Sequence, residues 1–207
     1  MSDQLGGDLT LDQHEALQEI VNIGMGLAGD SLARILNTFV ELSIPRIRLV
    51  KAEDLPSAIV NLVSERAEVS AIRQAFFNHW RGEAVAIYDQ HGCKDLADLM
   101  GYTSEMDNST ETELLLDVGN VLVGACLNGV SEQLNAELSF GAPSVLAQHV
   151  PIEELFEKQN FNWSHTLLLE VNFALENRQF KSHLLTMMSE ESISTLQLDI
   201  DHFLEAL

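Results

Sequence analysis

Residues 15–26 read EALQEIVNIGMG, and residues 113–124 read ELLLDVGNVLVG. A shift of 98 positions superimposes the two stretches without a gap and continues to Pro45, which falls on Pro143. Chance readily supplies the apolar matches, because any two amphipathic helices share a period of 3.6 residues. It supplies much less readily an Asn, a Gly and a Pro at one common shift. The sequence therefore predicts an internal repeat of two halves.

Each half is predicted to run as a long helix, an extended segment, a short helix, two strands and a closing helix. In the first half these elements are predicted at 11–38, 43–50, 54–64, 68–79, 82–89 and 92–101. In the second half they are predicted at 111–136, 138–146, 152–159, 164–176, 179–187 and 190–206. A half of about 100 residues with few aromatic side chains has a thin core. We therefore expect strands from both halves to join one sheet.

Local signals set several of these boundaries. Thr10 and Asp12 are candidate N-caps of the first long helix, and Ser109-Thr110 opens the second. The polar stretch 102–110 is the predicted linker between the halves. Asn177-Arg178 separates two β-like runs and predicts a tight hairpin turn.

Composition excludes several classes of function. The chain has 207 residues, 32 of them acidic and 11 basic, for a formal net charge of -21. This charge argues against nucleic acid and against binding to anionic membranes, because both need clustered Lys and Arg. No membrane insertion is expected either. Cys93 and Cys126 are far apart and in no metal-ligand spacing, so we expect buried free thiols in a reducing compartment. With no signal peptide and no apolar run of about 18 residues, a cytoplasmic location is expected.

The first long helix carries a polar stripe at Glu15, Glu19 and Asn22, spaced i, i+4 and i+7. Acidic residues at such spacing usually serve solvation alone. Asn is mildly unfavourable inside a helix, however, because its amide competes with the backbone. Its recurrence at the same offset from an acid and from a proline therefore indicates a site. The second helix repeats the stripe with Glu113, Asp117 and Asn120.

Glycines follow both asparagines. Gly24 and Gly26 each cost the first helix roughly 1 kcal/mol relative to alanine. They leave room beside Asn22 for another surface, or they permit close packing of helices. Of this pair, the second helix keeps only the glycine equivalent to Gly26, which is Gly124.

These residues resemble the phosphatase signature of the CheC/CheX/FliY family of chemotaxis proteins. The signature has Asp or Ser, three residues, Glu, two residues, Asn, 22 residues and Pro. Glu19, Asn22 and Pro45 satisfy it, and Asn120 and Pro143 keep the second spacing of 22. The length and the two copies look most like CheC. The resemblance implies an α+β, CheC-like pseudo-two-fold fold in one domain, 1–207, with repeats at about 11–101 and 111–206. The repeats would share one mostly antiparallel sheet, with the two long site-bearing helices on one face.

The resemblance also implies an activity, hydrolysis of the aspartyl phosphate of a CheY-like response regulator. Asn22 would then position the attacking water, and Glu19 would dock to the Lys of the receiver domain. The Mg²⁺ needed for the chemistry would come from the receiver, so no cofactor of the chain's own is expected. A CheD-like protein is a further partner that the resemblance implies. The main alternative is a non-catalytic adaptor or sensor that binds a phosphorylated receiver.

The chain departs from the signature at two positions. Glu15, and Glu113 in the second copy, stand where the family has Asp or Ser, and we expect them at the rim of each site. Asp117 replaces the expected Glu and shortens the side chain by one methylene. The first site, Glu19 and Asn22, is therefore the predicted catalytic one. The second, Asp117 and Asn120, is expected to be degenerate.

Overall fold

A computed structural model describes residues 9–60, 68–102, 107–155, 165–178 and 180–206. The helices are α1 (Leu11–Leu36), α2 (Leu55–Val60), α3 (Gln90–Leu99), α4 (Asn108–Gln133) and α5 (Glu190–Glu205). The strands are β1 (Val40–Leu42), β2 (Arg46–Lys51), β3 (Glu68–Asn78), β4 (Gly82–Asp89), β5 (Leu138–Phe140), β6 (Ser144–Pro151), β7 (His165–Leu175) and β8 (Lys181–Met188). Short 3₁₀ turns lie at Ala52–Asp54 and Ile152–Glu154.

All eight described strands form one antiparallel sheet, in the order β1-β7-β8-β4-β3-β5. Strand β2 also pairs with β7, and β6 also pairs with β3. Strands β1 to β4 of the first half correspond to β5 to β8 of the second. When each strand is replaced by its counterpart, the same order results, read from the other edge of the sheet. The sheet therefore has pseudo-two-fold symmetry about the β4–β8 pair, and the predicted α+β fold with strands shared between the halves is confirmed.

The strand registers give the structural equivalence of the two halves residue by residue. Phe76 of β3 pairs with Phe140 of β5, and Phe173 of β7 pairs with Leu42 of β1. Residue 140 is the repeat partner of residue 42, so Phe76 is equivalent to Phe173. On these strands the repeat is offset by 97 positions, one fewer than on the long helices.

Helices α1 and α4 pack side by side on one face of the sheet, as the resemblance implied. Their apolar faces join the inward residues of the strands, such as Ile72 and Val171, in one large buried cluster. The opposite face of the sheet carries a smaller cluster under α2 and the 3₁₀ turn Ile152–Glu154. One sheet face thus supports both long helices and leaves their outer sides to solvent.

The ends of the long helices are fixed by side-chain caps. Thr10 caps α1, where its hydroxyl accepts from the Gln13 backbone and Gln13 Oε1 accepts from the Thr10 backbone. Helix α4 begins at Asn108, three residues before the predicted start, because the carboxylate of Asp107 accepts from the backbone N–H of Thr110. This contact lowers the pKa of Asp107. The prediction that Ser109-Thr110 opens the helix, and that the linker reaches residue 110, was wrong at this end.

Other boundaries differ by small amounts. Of the predicted helix 54–64, Asp54 ends the preceding 3₁₀ turn, Leu55–Val60 form α2, and 61–64 lie outside the described residues. Of the predicted helix 152–159, the described part is the 3₁₀ turn Ile152–Glu154. The two strands on either side of Asn177 end at Leu175 and resume at Lys181, so their connection is longer than a two-residue turn.

Helix α4 is long and apolar enough to cross a membrane, with a mean hydropathy of 1.5 over an 18-residue window. This helix departs from the expectation that the chain has no apolar run of about 18 residues. In the fold, 61% of this window is buried. Its buried apolar side chains therefore belong to the core between the helix and the sheet.

Candidate functional site

The stripe predicted on the first long helix lies on the outer side of α1. Glu15, Glu19 and Asn22 are all exposed, while Leu17, Ile20 and Val21 between them are buried. Within the described part of the chain, neither the Glu19 carboxylate nor the Asn22 amide takes part in a hydrogen bond or ion pair. One acid and one amide, about a helical turn apart, are therefore both free to meet another molecule.

The structure also places the proline of the signature. Pro45 is buried and directly precedes β2, and its carbonyl oxygen lies 3.5 Å from Nε2 of Gln18 on α1. Gln18 is the neighbour of Glu19 along the helix. The fixed spacing between Asn22 and Pro45 thus corresponds to a chain that leaves α1, forms β1 and returns beside the same helix.

The glycines after Asn22 have two different roles. A Cβ on Gly24 would lie 2.6 Å from the carbonyl oxygen of Cys126 in α4, so Gly24 permits the two helices to pack closely. A Cβ on Gly26 would meet nothing within 4 Å. The same is true of Gly124, its repeat partner. Each asparagine of the repeat is therefore followed, one turn later, by a glycine that leaves open space above the helix.

Apolar side chains adjoin the first stripe. Ile23 is 39% exposed and Leu27 is 44% exposed, so apolar surface lies next to the polar stripe. Their repeat partners on α4, Val121 and Ala125, are half-buried. The first site thus combines an unpaired amide, an acid and exposed apolar surface.

The second stripe lies on α4 with Glu113, Asp117 and Asn120 exposed, as predicted. Its asparagine differs from Asn22 in one contact. Nε2 of Gln74 donates to Oδ1 of Asn120 at 2.9 Å and also to the carbonyl oxygen of Gly141 at 2.9 Å. The acceptor atom of Asn120 is therefore already engaged within the protein.

Gln74 was missing from the predicted sites. It lies on β3 beneath α4, between the buried Ile72 and Phe76, and is 3% exposed. Its repeat partner, 97 positions later, is Val171, which is buried and has no polar side-chain group. The available signal in the sequence was a polar residue in one half at a position where the other half has an apolar one. This signal is visible only when the strands are aligned with an offset of 97.

The two cysteines offer no alternative nucleophile near neutral pH. Cys93 and Cys126 are both free and buried, as predicted. Burial raises the pKa of both thiols, that of Cys126 to about 12, so neither supplies thiolate near neutral pH. In the same part of the chain, no group of three or more His, Cys, Asp or Glu side chains is placed to hold a metal ion.

A cavity of about 370 Å³ opens elsewhere, between β1, β7 and β8. Its polar lining includes Ser43, Asn172, Lys181 and His183. None of the predicted site residues lines it. The two stripes are instead convex helix surfaces, which suits contact with another macromolecule better than enclosure of a small ligand.

Comparison with known proteins adds the fold family. No family model matches the sequence, and no curated protein matches it. FliY from Thermotoga maritima superposes with a TM-score of 0.72, at 18% identity, over 95% of this chain and 100% of that one. The chemotaxis protein CheX from Desulfovibrio desulfuricans gives 0.55 at 14% identity, over 81% of this chain and 99% of that one. The middle domain of FliM from H. pylori gives 0.62 at 9% identity, over 92% and 99%.

Identities this low establish a common fold rather than a common activity. The superpositions extend over 81–95% of this chain, at TM-scores of 0.55–0.72. The chain therefore has the fold of the CheC/CheX/FliY chemotaxis proteins.

Proposed function

We propose that the chain is a phosphatase that hydrolyses the aspartyl phosphate of a CheY-like receiver domain at Glu19 and Asn22. The observation that carries the proposal is the unpaired, exposed amide of Asn22, one turn from an unpaired acid and beside open space above Gly26. The fold shared with CheX and FliY supports it. In the reaction, a water oxygen bonds to phosphorus, the bond from phosphorus to the aspartyl oxygen breaks, and inorganic phosphate leaves.

Asn22 suits the positioning of that water. An amide oxygen accepts a hydrogen bond from water, while the NH₂ group donates to a phosphoryl oxygen, and the side chain brings no charge to repel the anion. Phosphoryl transfer needs an in-line water and charge stabilisation more than a strong base from the protein. A neutral, exposed amide that no neighbour engages has these properties.

Glu19 serves docking in this proposal. Its carboxylate would pair with the Lys of the receiver's active site, in a charge-assisted hydrogen bond that fixes the register of the two proteins. The receiver would bring the Mg²⁺ that neutralises the phosphoryl oxygens. Exposed Ile23 and Leu27 would supply apolar contact area beside the reacting groups.

The net charge of -21 bears on how the two proteins meet. Long-range attraction would favour a basic partner, and receivers are often acidic. Association then depends on the local pairing at Glu19 and on apolar burial, rather than on steering. Moderate salt should therefore raise the rate of association, because it screens the repulsion between two acidic proteins.

The test is the release of phosphate from a panel of phosphorylated receivers, with and without the protein. The wild-type chain should accelerate phosphate loss from at least one of them. Asn22→Ala should abolish the acceleration, while binding of that receiver in complex with beryllium fluoride and Mg²⁺ stays within a few-fold. Wild-type rates from Asn22→Ala would show that the first site is not catalytic.

Asn120→Ala is the matched control on the second helix, and it should reduce the rate much less than Asn22→Ala. Equal losses from the two changes would show that Asp117 replaces Glu competently.

The second candidate function is a non-catalytic adaptor or sensor that binds phosphorylated receivers. The FliM middle domain, which superposes over 92% of this chain, keeps this alternative open, because a shared fold does not imply a shared activity. Binding without acceleration for every receiver in the panel would support this alternative. Binding to a CheD-like protein would be an additional property of either function.

A further inference from the structure

We propose that Gln74 keeps the second site from hydrolysing aspartyl phosphate, by holding the acceptor oxygen of Asn120 towards the protein interior. The inference rests on the proposed function, because it explains why only one of two repeated sites would be catalytic. It also names a residue outside both signatures. Its basis is a contact between β3 and α4 that has no counterpart between β7 and α1.

The orientation of both amides is fixed by one backbone group. The carbonyl oxygen of Gly141 can only accept, so the atom of Gln74 that lies 2.9 Å from it must be the NH₂ nitrogen. The same nitrogen lies 2.9 Å from the side chain of Asn120, which must therefore present its oxygen. Both hydrogens of the Gln74 NH₂ group are then used. The assignment of oxygen and nitrogen follows from this chain of donors and acceptors.

Burial makes the contact persistent. Gln74 is 3% exposed, and its Oε1 is buried without a partner among the described residues. Breaking the two bonds from Nε2 would leave a second buried polar group unsatisfied, at a cost of about 1–3 kcal/mol. The Gln74 amide is therefore held where it is, and Asn120 is held with it.

The repeat supplies the comparison. Asn22 and Asn120 are equivalent on the two long helices, yet the residue equivalent to Gln74 is Val171. The side chain of valine has no group that can hydrogen-bond an amide. Among the described residues, the Asn22 side chain has no hydrogen-bond partner. The two asparagines thus share their sequence context and differ in the freedom of their acceptor oxygen.

This difference acts directly on the chemistry proposed above. Asn120 retains its NH₂ group, which can donate to a phosphoryl oxygen. Its oxygen keeps a second lone pair, but the bond to Gln74 fixes the direction of the amide. The amide cannot turn to hold a water in line with the phosphoryl group without losing the buried bond. The second site would accordingly bind a phosphoryl group and fail to activate water. Gln74 is a positioning residue in this scheme, since it acts through Asn120.

The experiment is a gain of function in the Asn22→Ala background, where the first site is inactive. Asp117→Glu restores the acid of the signature, and Gln74→Val installs the residue found in the other half. We expect Asn22→Ala with Asp117→Glu to remain at baseline. Adding Gln74→Val should raise the rate of phosphate loss at least tenfold above it. Gln74→Leu, closer to glutamine in side-chain length, serves as a second version should the valine variant melt at a markedly lower temperature.

Two outcomes would overturn the inference. One is no gain from either Gln74 change in folded protein that carries Asp117→Glu. The other is an equal gain from Asp117→Glu with Gln74 retained, since the acid alone would then account for the silent site.

A second readout does not depend on activity. In ¹⁵N-labelled wild-type protein, the side-chain NH₂ protons of Gln74 should exchange with solvent at least tenfold more slowly than those of an exposed glutamine. Asn120→Ala should accelerate that exchange severalfold. Free exchange in the wild type would refute the contact. If the wild type accelerates no receiver, the proposed function fails, and the exchange rates still decide whether Gln74 holds Asn120.

Discussion

Gly24 of α1 and Gly129 of α4 face each other where the two long helices pack together. A Cβ on Gly129 would lie 2.7 Å from the Cα of Gly24, and a Cβ on Gly24 would lie 2.6 Å from the backbone of Cys126. The two helix backbones therefore lie so close together here that neither position has room for a side chain. Because Asn22 lies two residues before this contact, the glycine pair fixes the position of the proposed catalytic helix relative to its repeat partner.

Gly24→Ala and Gly26→Ala should change stability in opposite directions. The first places a methyl group against backbone in α4 and should lower the free energy of unfolding by about 1–3 kcal/mol. The second places it in open space and should raise that free energy by about 1 kcal/mol, since alanine favours a helix. Urea unfolding followed by circular dichroism measures both. A stabilising Gly24→Ala would contradict the packing described for the helices.

Gly26→Trp should block receivers without unfolding the protein. The open space at Gly26 accommodates a large side chain in the free protein, where it would cover the approach to Asn22. We expect at least a tenfold loss of stimulated phosphate release, with a melting temperature within a few degrees of wild type. Gly124→Trp is the matched control on α4, and it should leave most of the activity. Unchanged activity in Gly26→Trp would place the docking surface elsewhere.

Removing the charge of Glu19 should weaken docking more than chemistry. Glu19→Gln keeps the shape of the side chain and removes a charge-assisted hydrogen bond, worth about 1.5–3 kcal/mol. The KM for the phosphorylated receiver should therefore rise roughly tenfold or more, with a smaller change in kcat. Glu15→Gln, one turn earlier, should alter either constant less than twofold. A loss confined to kcat would assign Glu19 to the chemical step instead.

His183 should make the fold less stable in mild acid. Burial, with a smaller effect from Lys181, lowers the pKa of His183 to about 4, and its Nδ1 lies 2.6 Å from Oδ1 of Asn172. Unfolded histidine titrates near 6.5, so between about pH 4 and pH 6.5 the unfolded chain binds the additional proton. The stabilisation is present above pH 6.5 and is lost as the pH falls.

The loss attributable to His183 should reach up to about 3 kcal/mol near pH 4. Urea unfolding at pH 7.0, 5.5 and 4.5 measures it, and the His183→Gln variant should have a shallower dependence on pH. Parallel profiles for the two proteins would show that His183 takes up its proton equally well in the folded state.

The sequence predicted the parts of the fold that depend on repetition. The common shift of Asn22 with Asn120 and of Pro45 with Pro143 predicted two equivalent long helices and a shared sheet. The exact ends of the helices were harder to predict. Asp107 and Ser109 are both able to cap a helix, and only the folded backbone selects between them. The stripes themselves followed from helical spacing, since exposure opposite a buried apolar face is a local property.

The contact between Gln74 and Asn120 could not be predicted in the same way. Gln74 is a polar residue in a strand, and nothing local indicates which helix covers it. Its importance arises from a strand of the first half lying under a helix of the second. Periodicity describes one element at a time, whereas this contact depends on how the two halves interleave.

The interleaved sheet also determines when the protein can fold during synthesis. Val40 pairs with Leu175, and Arg46 pairs with Glu170, so the first strands have no partner until most of the chain has left the ribosome. At roughly 5–20 residues per second, that interval lasts on the order of ten seconds. During this interval, the apolar sides of α1 and β2 are not yet covered by the second half. The nascent first half therefore exposes apolar surface and unpaired strands, which are features that chaperones bind.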